Sequence, residues 1–291
     1  MKFIKMQGCG NDYVYVDGST VDIKNKAEVV RWLSNRNFGI GGDGVIFINR
    51  SSIADFEMEM WNADGTRSQM CGNGIRCVAK FVYDQGLTQK NPVKIESFGA
   101  VKELHLTVED GKVSRVRVNM GEPELIASRV PVVSENKQVI DEAITVDQTQ
   151  YRMTCVSMGN PHAVVFVGEE GMPDLMTVGP AFENHERFPE RTNTEFIRVL
   201  NDHEVFMRVW ERGTGETLAC GTGACASVVA CVLNGKTGRK VTVHLLGGDL
   251  EIEWKEEDNR VYMTGPAVTV FEGEIDVSQI DKVPGEFLKE K

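Results

Sequence analysis

The sequence predicts an α+β protein of two pseudosymmetric, homologous halves, each a mixed or antiparallel sheet rolled around a central helix. Three observations predict it: an internal repeat, an apolar helical segment following a glycine-rich turn in each half, and short alternating strands leading into each turn.

The repeat sets the organisation. Trp61 precedes Cys71 by ten residues in W-N-A-D-G-T-R-S-Q-M-C-G-N-G, and Trp210 precedes Cys220 by ten in W-E-R-G-T-G-E-T-L-A-C-G-T-G. The shift is 149 residues, and it also carries Gly10-Asn11 onto Gly159-Asn160, each ahead of a β-branched run. Downstream the register slips by a few residues while the order holds, down to a closing glycine and proline in M-G-E-P and T-G-P. A tryptophan, a cysteine and an upstream asparagine in one register are hard to obtain by chance. The predicted halves are 1–120 and 150–275, with a variable connecting segment at 121–149 and a tail at 276–291.

Within each half, alternating segments (Phe56 to Met60, Val205 to Val209) read as half-buried strands. After the first cysteine, Ile75, Val78, Ala79 and Val82 recur at helical spacing, with Gly86 placed to end the helix. After the second, A-C-A-S-V-V-A-C-V-L is apolar all round and must be enclosed. Further helices are predicted near 26–36 and 180–187, the latter with Pro180 at its first position.

Composition is that of a soluble globular chain: 291 residues, 41% hydrophobic and 26% charged. A net charge of −11 argues against nucleic acid as a partner. The N-terminus enters a strand pattern with no signal or transit character, and no apolar run approaches a membrane span, so the expected compartment is the cytoplasm. Seven cysteines without a C-x-x-C pair argue against a disulfide framework and a structural zinc site. Cys77, Cys225 and Cys231 fall inside the apolar helices and read as core; Cys9 and Cys155 read as packing beside turns.

Cys71 and Cys220 differ from these, because each immediately precedes a helix in C-G-x-G. Glycine lets a ligand approach the backbone, and the first-turn N–H groups of a helix form an anion site. The same field is expected to lower the thiol pKa. If the halves pack face to face, two helix starts and two sulfurs meet on one ligand in the cleft between them. A carboxylate held there would have its enolate-like charge stabilised while one thiolate removes the α-proton and the opposed thiol returns one, inverting the centre. The expectation is an active site without cofactor or metal.

The segments M-Q-G-C-G-N-D-Y, W-N-A-D-G, M-C-G-N-G-I-R-C, V-N-M-G-E-P, V-S-M-G-N-P-H, H-E-R-F-P-E-R-T-N, E-R-G-T-G-E-T-L-A-C-G-T-G-A and Y-M-T-G-P resemble the diaminopimelate epimerase family over nearly the whole chain. The resemblance implies a cofactor-independent isomerase acting on diaminopimelate, for lysine and cell-wall synthesis, in a homodimeric two-domain fold. It implies that Cys71 and Cys220 are the acid/base pair, assisted by His162 and Glu211. It further implies that Gly72, Asn73, Gly221 and Thr222 grip the reacting carboxylate, and that Asn11, Asn62, Asn160, Asn193, Glu211 and Arg212 contact substrate. The chain departs from the family pattern at Gly44, where many members carry a substrate-touching Gln, and at Gln7 and Cys9.

The repeat adds an inference of its own. Under the shift Asn62 faces Glu211, Asp64 faces Gly213 and Tyr13 faces His162, so charge or a titratable ring breaks the symmetry there. Glu211 and Arg212 suit the distal ammonium and carboxylate of an asymmetric substrate, Arg212 by its planar fork. A satisfied histidine after a turn proline is the plainer reading of His162, and Arg76 and Arg191 read as scaffold or surface pairs. The rival functions are another cofactor-free racemase, such as a proline racemase-like enzyme, and a thiol redox protein with a switchable Cys71–Cys220 disulfide.

Overall fold

The computed structural model describes residues 1–68, 71–168 and 171–278. In chain order the first strands and helices are β1 (Lys2–Gly8), β2 (Asn11–Asp17), α1 (Lys26–Ser34), β3 (Gly44–Asn49), β4 (Phe56–Asn62), α2 (Gly72–Asp84), β5 (Val93–Ser97), β6 (Ala100–Glu109) and β7 (Lys112–Gly121). There follow β8 (Glu142–Val146), β9 (Thr149–Ser157), β10 (Pro161–Phe166), α3 (Leu175–Glu183), β11 (Asn193–Asn201), β12 (Glu204–Glu211), β13 (Gly215–Thr217) and α4 (Gly221–Leu233). The chain closes with β14 (Lys240–Leu245), β15 (Gly248–Trp254), β16 (Val261–Pro266) and β17 (Val268–Glu274).

The contacts divide the chain into two compact units, Met1–Val118 with Gly265–Lys291, and Asn119–Thr264. In the first, β17, β1, β2, β3, β4, β5, β6 and β7 pair in that order; β2–β3 and β4–β5 are parallel and the other pairs antiparallel. This sheet packs through β1, β2, β5 and β6 on α2, whose Ile75, Cys77, Val78, Ala79 and Val82 are wholly buried. In the second unit, β8, β9, β10, β11, β12, β14, β15 and β16 pair in the same pattern, with β10–β11 and β12–β14 parallel. They pack on α4, which has no exposed face. Each sheet wraps its own helix: α4 is apolar all round and has no polar side to give to water, whereas α2 also carries Arg76 and Lys80, which are satisfied by hydrogen bonds within the unit.

From β2 to the end of the central helix the 149-residue repeat is present residue by residue. α2 and α4 are both 13 residues long and start at Gly72 and Gly221; α1 and α3 are both 9 residues long and start at Lys26 and Leu175. The parallel pair Tyr13–Gly44 recurs as His162–Asn193, and the antiparallel pair Ile46–Met60 recurs as Glu195–Val209. Both central helices end in a left-handed glycine, Gly86 (φ 72°) and Gly235 (φ 62°), as the sequence implies for the first.

Two expectations need correction. The division at 120 and 150 does not follow the packing. The segment 121–149 belongs to the second unit, where β8 pairs with β9 and Val130, Val132 and Val139 enter the core around Phe182 and Phe196. Its counterpart in the first unit is β17 near the far end of the chain, which pairs with β1 as β8 pairs with β9. Each sheet needs this further strand, and only one of the two adjoins its half in sequence. The tail expected at 276–291 lies outside the described residues beyond 278. Second, Pro180 is interior to α3, not at its start. The helix begins after Asp174, whose carboxylate accepts from the Met176 N–H (3.1 Å) and the Thr177 hydroxyl (2.8 Å). That cap, six residues before the proline, satisfies first-turn donors.

Candidate active site

The residues singled out by sequence fall into two groups, one in each unit. In the first, Cys71 is the N-cap of α2. Its sulfur accepts from the Gly74 N–H at 3.2 Å, and its thiol donates to Asn11 Oδ1 at 3.0 Å. Asn11 opens β2, and its amide is oriented by Asp43, whose Oδ2 takes Asn11 Nδ2 at 2.7 Å and the Asp12 N–H at 3.1 Å. The carbonyl of Asn11 is thereby left to the sulfur. Asp12 in turn pairs with Lys5 (2.7 Å) and Arg36 (2.7 Å). Burial raises its pKa, and the hydrogen bonds and charges of those two cations outweigh that and hold it low.

Tyr13, 4% exposed, lies within hydrogen-bonding reach of both Asn11 and Cys71, and burial keeps its phenol protonated. The Trp61 backbone and the Tyr13 ring together leave no room for a side chain at Gly44. A Cβ there would come 2.9 Å from Tyr13 Cε1 and 2.0 Å from the Trp61 carbonyl. Asn62 ends β4 and donates to Thr66 Oγ1 at 3.1 Å across the W-N-A-D-G-T turn. Gly72 and Asn73 supply the first N–H groups of α2, which have no intrahelical acceptor. Asn73 itself is 4% exposed.

In the second unit Cys220 is the N-cap of α4, 5% exposed, with Gly221 and Thr222 as the first helical residues. Its sulfur lies 3.5 Å from the Thr222 hydroxyl. The expected lowering of its pKa is not what the site produces. Burial raises it well above the ordinary thiol value, the charges of Glu211 and Glu195 add to that, and Thr222 and the Gly223 N–H only partly offset it. A helix start favours the thiolate by the field of its amides; a water-excluding site with two carboxylates beside it favours the thiol more strongly.

His162, on β10, is fully buried; Nδ1 lies 2.7 Å from Glu195 Oε1 and Nε2 lies 3.1 Å from Asn160 Oδ1. The ring thus engages Glu195 and Asn160, whereas Glu211 accepts from the Thr217 hydroxyl. Asn193 is buried as a bracket: its Nδ2 donates to the Pro161 carbonyl (2.8 Å) and its Oδ1 accepts the Arg212 N–H (2.9 Å). Arg212 donates one guanidinium nitrogen to the Glu190 carbonyl (2.8 Å). The turn bearing Glu211 and Arg212 is clamped by Glu183, which takes Trp210 Nε1 (2.8 Å), the Gly213 N–H (2.9 Å) and Arg191 (2.9 Å). Arg76 is scaffold, fully buried and donating to the Gly72 and Pro266 carbonyls.

Glu195 escapes the sequence reading because it sits in an ordinary strand, N-T-E-F-I. The signal that finds it is the repeat carried one element further: Ile46 maps onto Glu195, an apolar core position onto an acid. The remaining thiols are buried: Cys77 is pushed up to about 11 and Cys231 to about 12, burial being the main cause in both. Among the described residues, no group of three or more His, Cys, Asp or Glu could hold a metal ion, and no helix is long and apolar enough to cross a membrane.

The diaminopimelate epimerase family model matches residues 3–126 and 154–270. The chain is 57% identical over 277 residues to a diaminopimelate epimerase of Methanococcus maripaludis, covering 95% of this chain and 100% of that protein. It is 56% identical over 284 residues to that of Agathobacter rectalis, with the same coverage. Among solved structures it is similar to a probable proline racemase from Agrobacterium radiobacter (TM-score 0.67, 17% identity, 96% and 94% of the two chains). It is also similar to a hydroxyproline epimerase from Agrobacterium vitis (TM-score 0.65, 15% identity, 94% and 90%). At such identities the structural likeness speaks for the fold, two-domain and pseudosymmetric.

Proposed function

This chain belongs to the diaminopimelate epimerase family, and from that membership we propose that it interconverts L,L- and meso-2,6-diaminopimelate with Cys71 and Cys220 as its two proton carriers. The observation that carries the reading is the recurrence, at one shift of 149 residues, of a cysteine capping a 13-residue buried helix that opens on glycine. Inverting a carbon centre requires a base on one face and an acid on the other, and a duplicated thiol supplies one of each. The N–H groups of Gly72, Asn73, Gly221 and Thr222 hold the reacting carboxylate and stabilise charge as the α-proton leaves. In one direction a thiolate takes that proton and the other thiol delivers its own; in reverse the roles exchange, so no electrons are transferred and no cofactor is needed.

Asn11, Asn62, Asn160 and Asn193 line the substrate, and Glu211 with Arg212 take its distal ammonium and carboxylate. His162 acts on the second thiol's surroundings. The protein works as a homodimer in the cytoplasm. The test is incubation of the reduced protein with L,L-diaminopimelate in deuterated water. Wild type incorporates deuterium at the α-carbon and forms the meso isomer, and Cys71→Ala and Cys220→Ala each abolish inversion. A fully active Cys220→Ala would refute the two-thiol mechanism. A panel including proline and hydroxyproline separates the reading from a proline racemase-like activity.

A further inference from the structure

Glu195 stands at the place where the two halves differ most in chemistry. Its counterpart Ile46 presents Cδ1 to the first turn of α2, 3.0 Å from where a Cβ on Gly74 would be. In the other unit a Cβ on Gly223 would be 2.5 Å from Glu195 Oε1. A carboxyl therefore lies against the helix turn that Cys220 caps, where the first half has a methyl group. This carboxyl is 0% exposed, and its Oε2 is buried with no hydrogen-bond partner among the described residues.

The proton count of the pair follows from its hydrogen bonds. Asn160 Oδ1 accepts only, so the bond at 3.1 Å requires a proton on His162 Nε2. The 2.7 Å contact between Nδ1 and Oε1 requires one more proton between those atoms. Burial raises the Glu195 pKa and the charge and hydrogen bond of His162 oppose that; with two protons the pair is neutral overall, as buried surroundings demand, and the negative end of its dipole lies on Glu195, against the Cys220 turn. Around it the titratable groups are His162 on β10, Glu211 on β12, the buried Cys155 on β9 and Cys220 itself.

We propose that Glu195 is a positioning residue for the second thiol: it fixes the His162 ring against Asn160 and holds Cys220 in the protonated form, making two structurally equivalent thiols chemically unequal. The proposal rests on reading Cys220 as one of the two reacting thiols. Burial and the charges of Glu211 and Glu195 raise the Cys220 pKa, in the same sense. Cys220 is thereby set to keep its proton, so it serves as the donor to the one isomer whose α-proton is taken by the other thiol.

The test is a pH titration of protein labelled with ¹³C at cysteine Cβ, followed by NMR, with the Cys220 signal identified by its loss in Cys220→Ser. Glu195→Gln keeps the shape and removes the charge. It raises the Cys220 thiolate fraction roughly threefold at any pH below both midpoints, less than loss of an isolated like charge would, because Glu195 and His162 are neutral as a pair. Glu195→Asp, which keeps the charge, preserves the wild-type midpoint. The pH profile of kcat/KM moves toward acid in the Gln variant and not in the Asp variant, with KM changing less than twofold. If Glu195→Gln fails to fold, Glu195→Met, which copies the apolar surroundings of the other half, carries the same test. A Cys220 midpoint unmoved by loss of the carboxylate overturns the proposal. The titration needs no substrate, so its outcome is separate from that of the deuterium experiment, which tests the substrate and the two thiols.

Discussion

Replacing Gly223 with alanine puts a methyl group 2.5 Å from Glu195 Oε1, 3.1 Å from its Cδ and 3.2 Å from its Cγ. Three consecutive atoms of one side chain are crowded, and that side chain is wedged between a helix and a sheet. Glu195 must retreat, and its bond to His162 stretches or breaks. Alanine in a helix gains up to about 1 kcal/mol over glycine. Against that, overpacking a closed core costs about 1–3 kcal/mol, and a hydrogen bond to a charged group is worth about 1.5–3 kcal/mol. The losses win, for a net destabilisation of about 1.5–5 kcal/mol, or roughly 2–4 °C in Tm for each kcal/mol. Gly74→Ala is the internal control. There the close atom is Ile46 Cδ1 at 3.0 Å, the end of a flexible chain, with Cys71 Cβ next at 3.3 Å. The expected cost is under about 1 kcal/mol, because the contact relaxes by a rotamer adjustment. Thermal and urea unfolding of both variants measure this. Equal stabilities, or a Gly223→Ala more stable than wild type, would refute the claim that Glu195 is held tightly against that turn.

Further outcomes follow from the same geometry. Asp43→Ala releases the Asn11 amide, so Cys71 loses its oriented acceptor; kcat falls about tenfold or more, the equivalent of one charge-assisted hydrogen bond, and activity within twofold of wild type would count against the orienting role. Asp174→Ala removes the α3 cap and costs about 1 kcal/mol in urea unfolding, with epimerase activity unchanged at 25 °C. Glu59 is buried, which raises its pKa, yet hydrogen bonds from Lys26, Asn49 and Trp61 outweigh that and hold it below its ordinary value of 4.5. A lowered folded-state pKa gives stability that is complete above the unfolded value and lost as pH falls through the folded one. Unfolding free energy therefore drops below about pH 4.5, and a smaller drop in Glu59→Gln, measured across pH 3–6, checks the sign.

The part of this protein legible before any folding is the part that covalent register carries. Duplication preserves spacing, so one shift placed Cys71 and Cys220, Asn11 and Asn160, and Trp61 and Trp210 in equivalent positions, and apolar periodicity placed the helices that follow the cysteines. Those are local signals, and they survived into the fold at single-residue precision. Tertiary structure decided the features that depend on partners distant along the chain. The last strand of each sheet, β17 in one unit and β8 in the other, was invisible because strand pairing carries no local mark of its partner. Pro180 misled because a cap six residues upstream outweighs a proline's preference for a helix start. The state of Cys220 could not be read from its helix start alone, since burial and two carboxylates on neighbouring strands oppose the field of the amides. Glu195 shows the boundary most sharply: the repeat marks it as an acid in an apolar place, but only the packing of β10, β11 and α4 shows that its partner is His162 and its neighbour the second thiol.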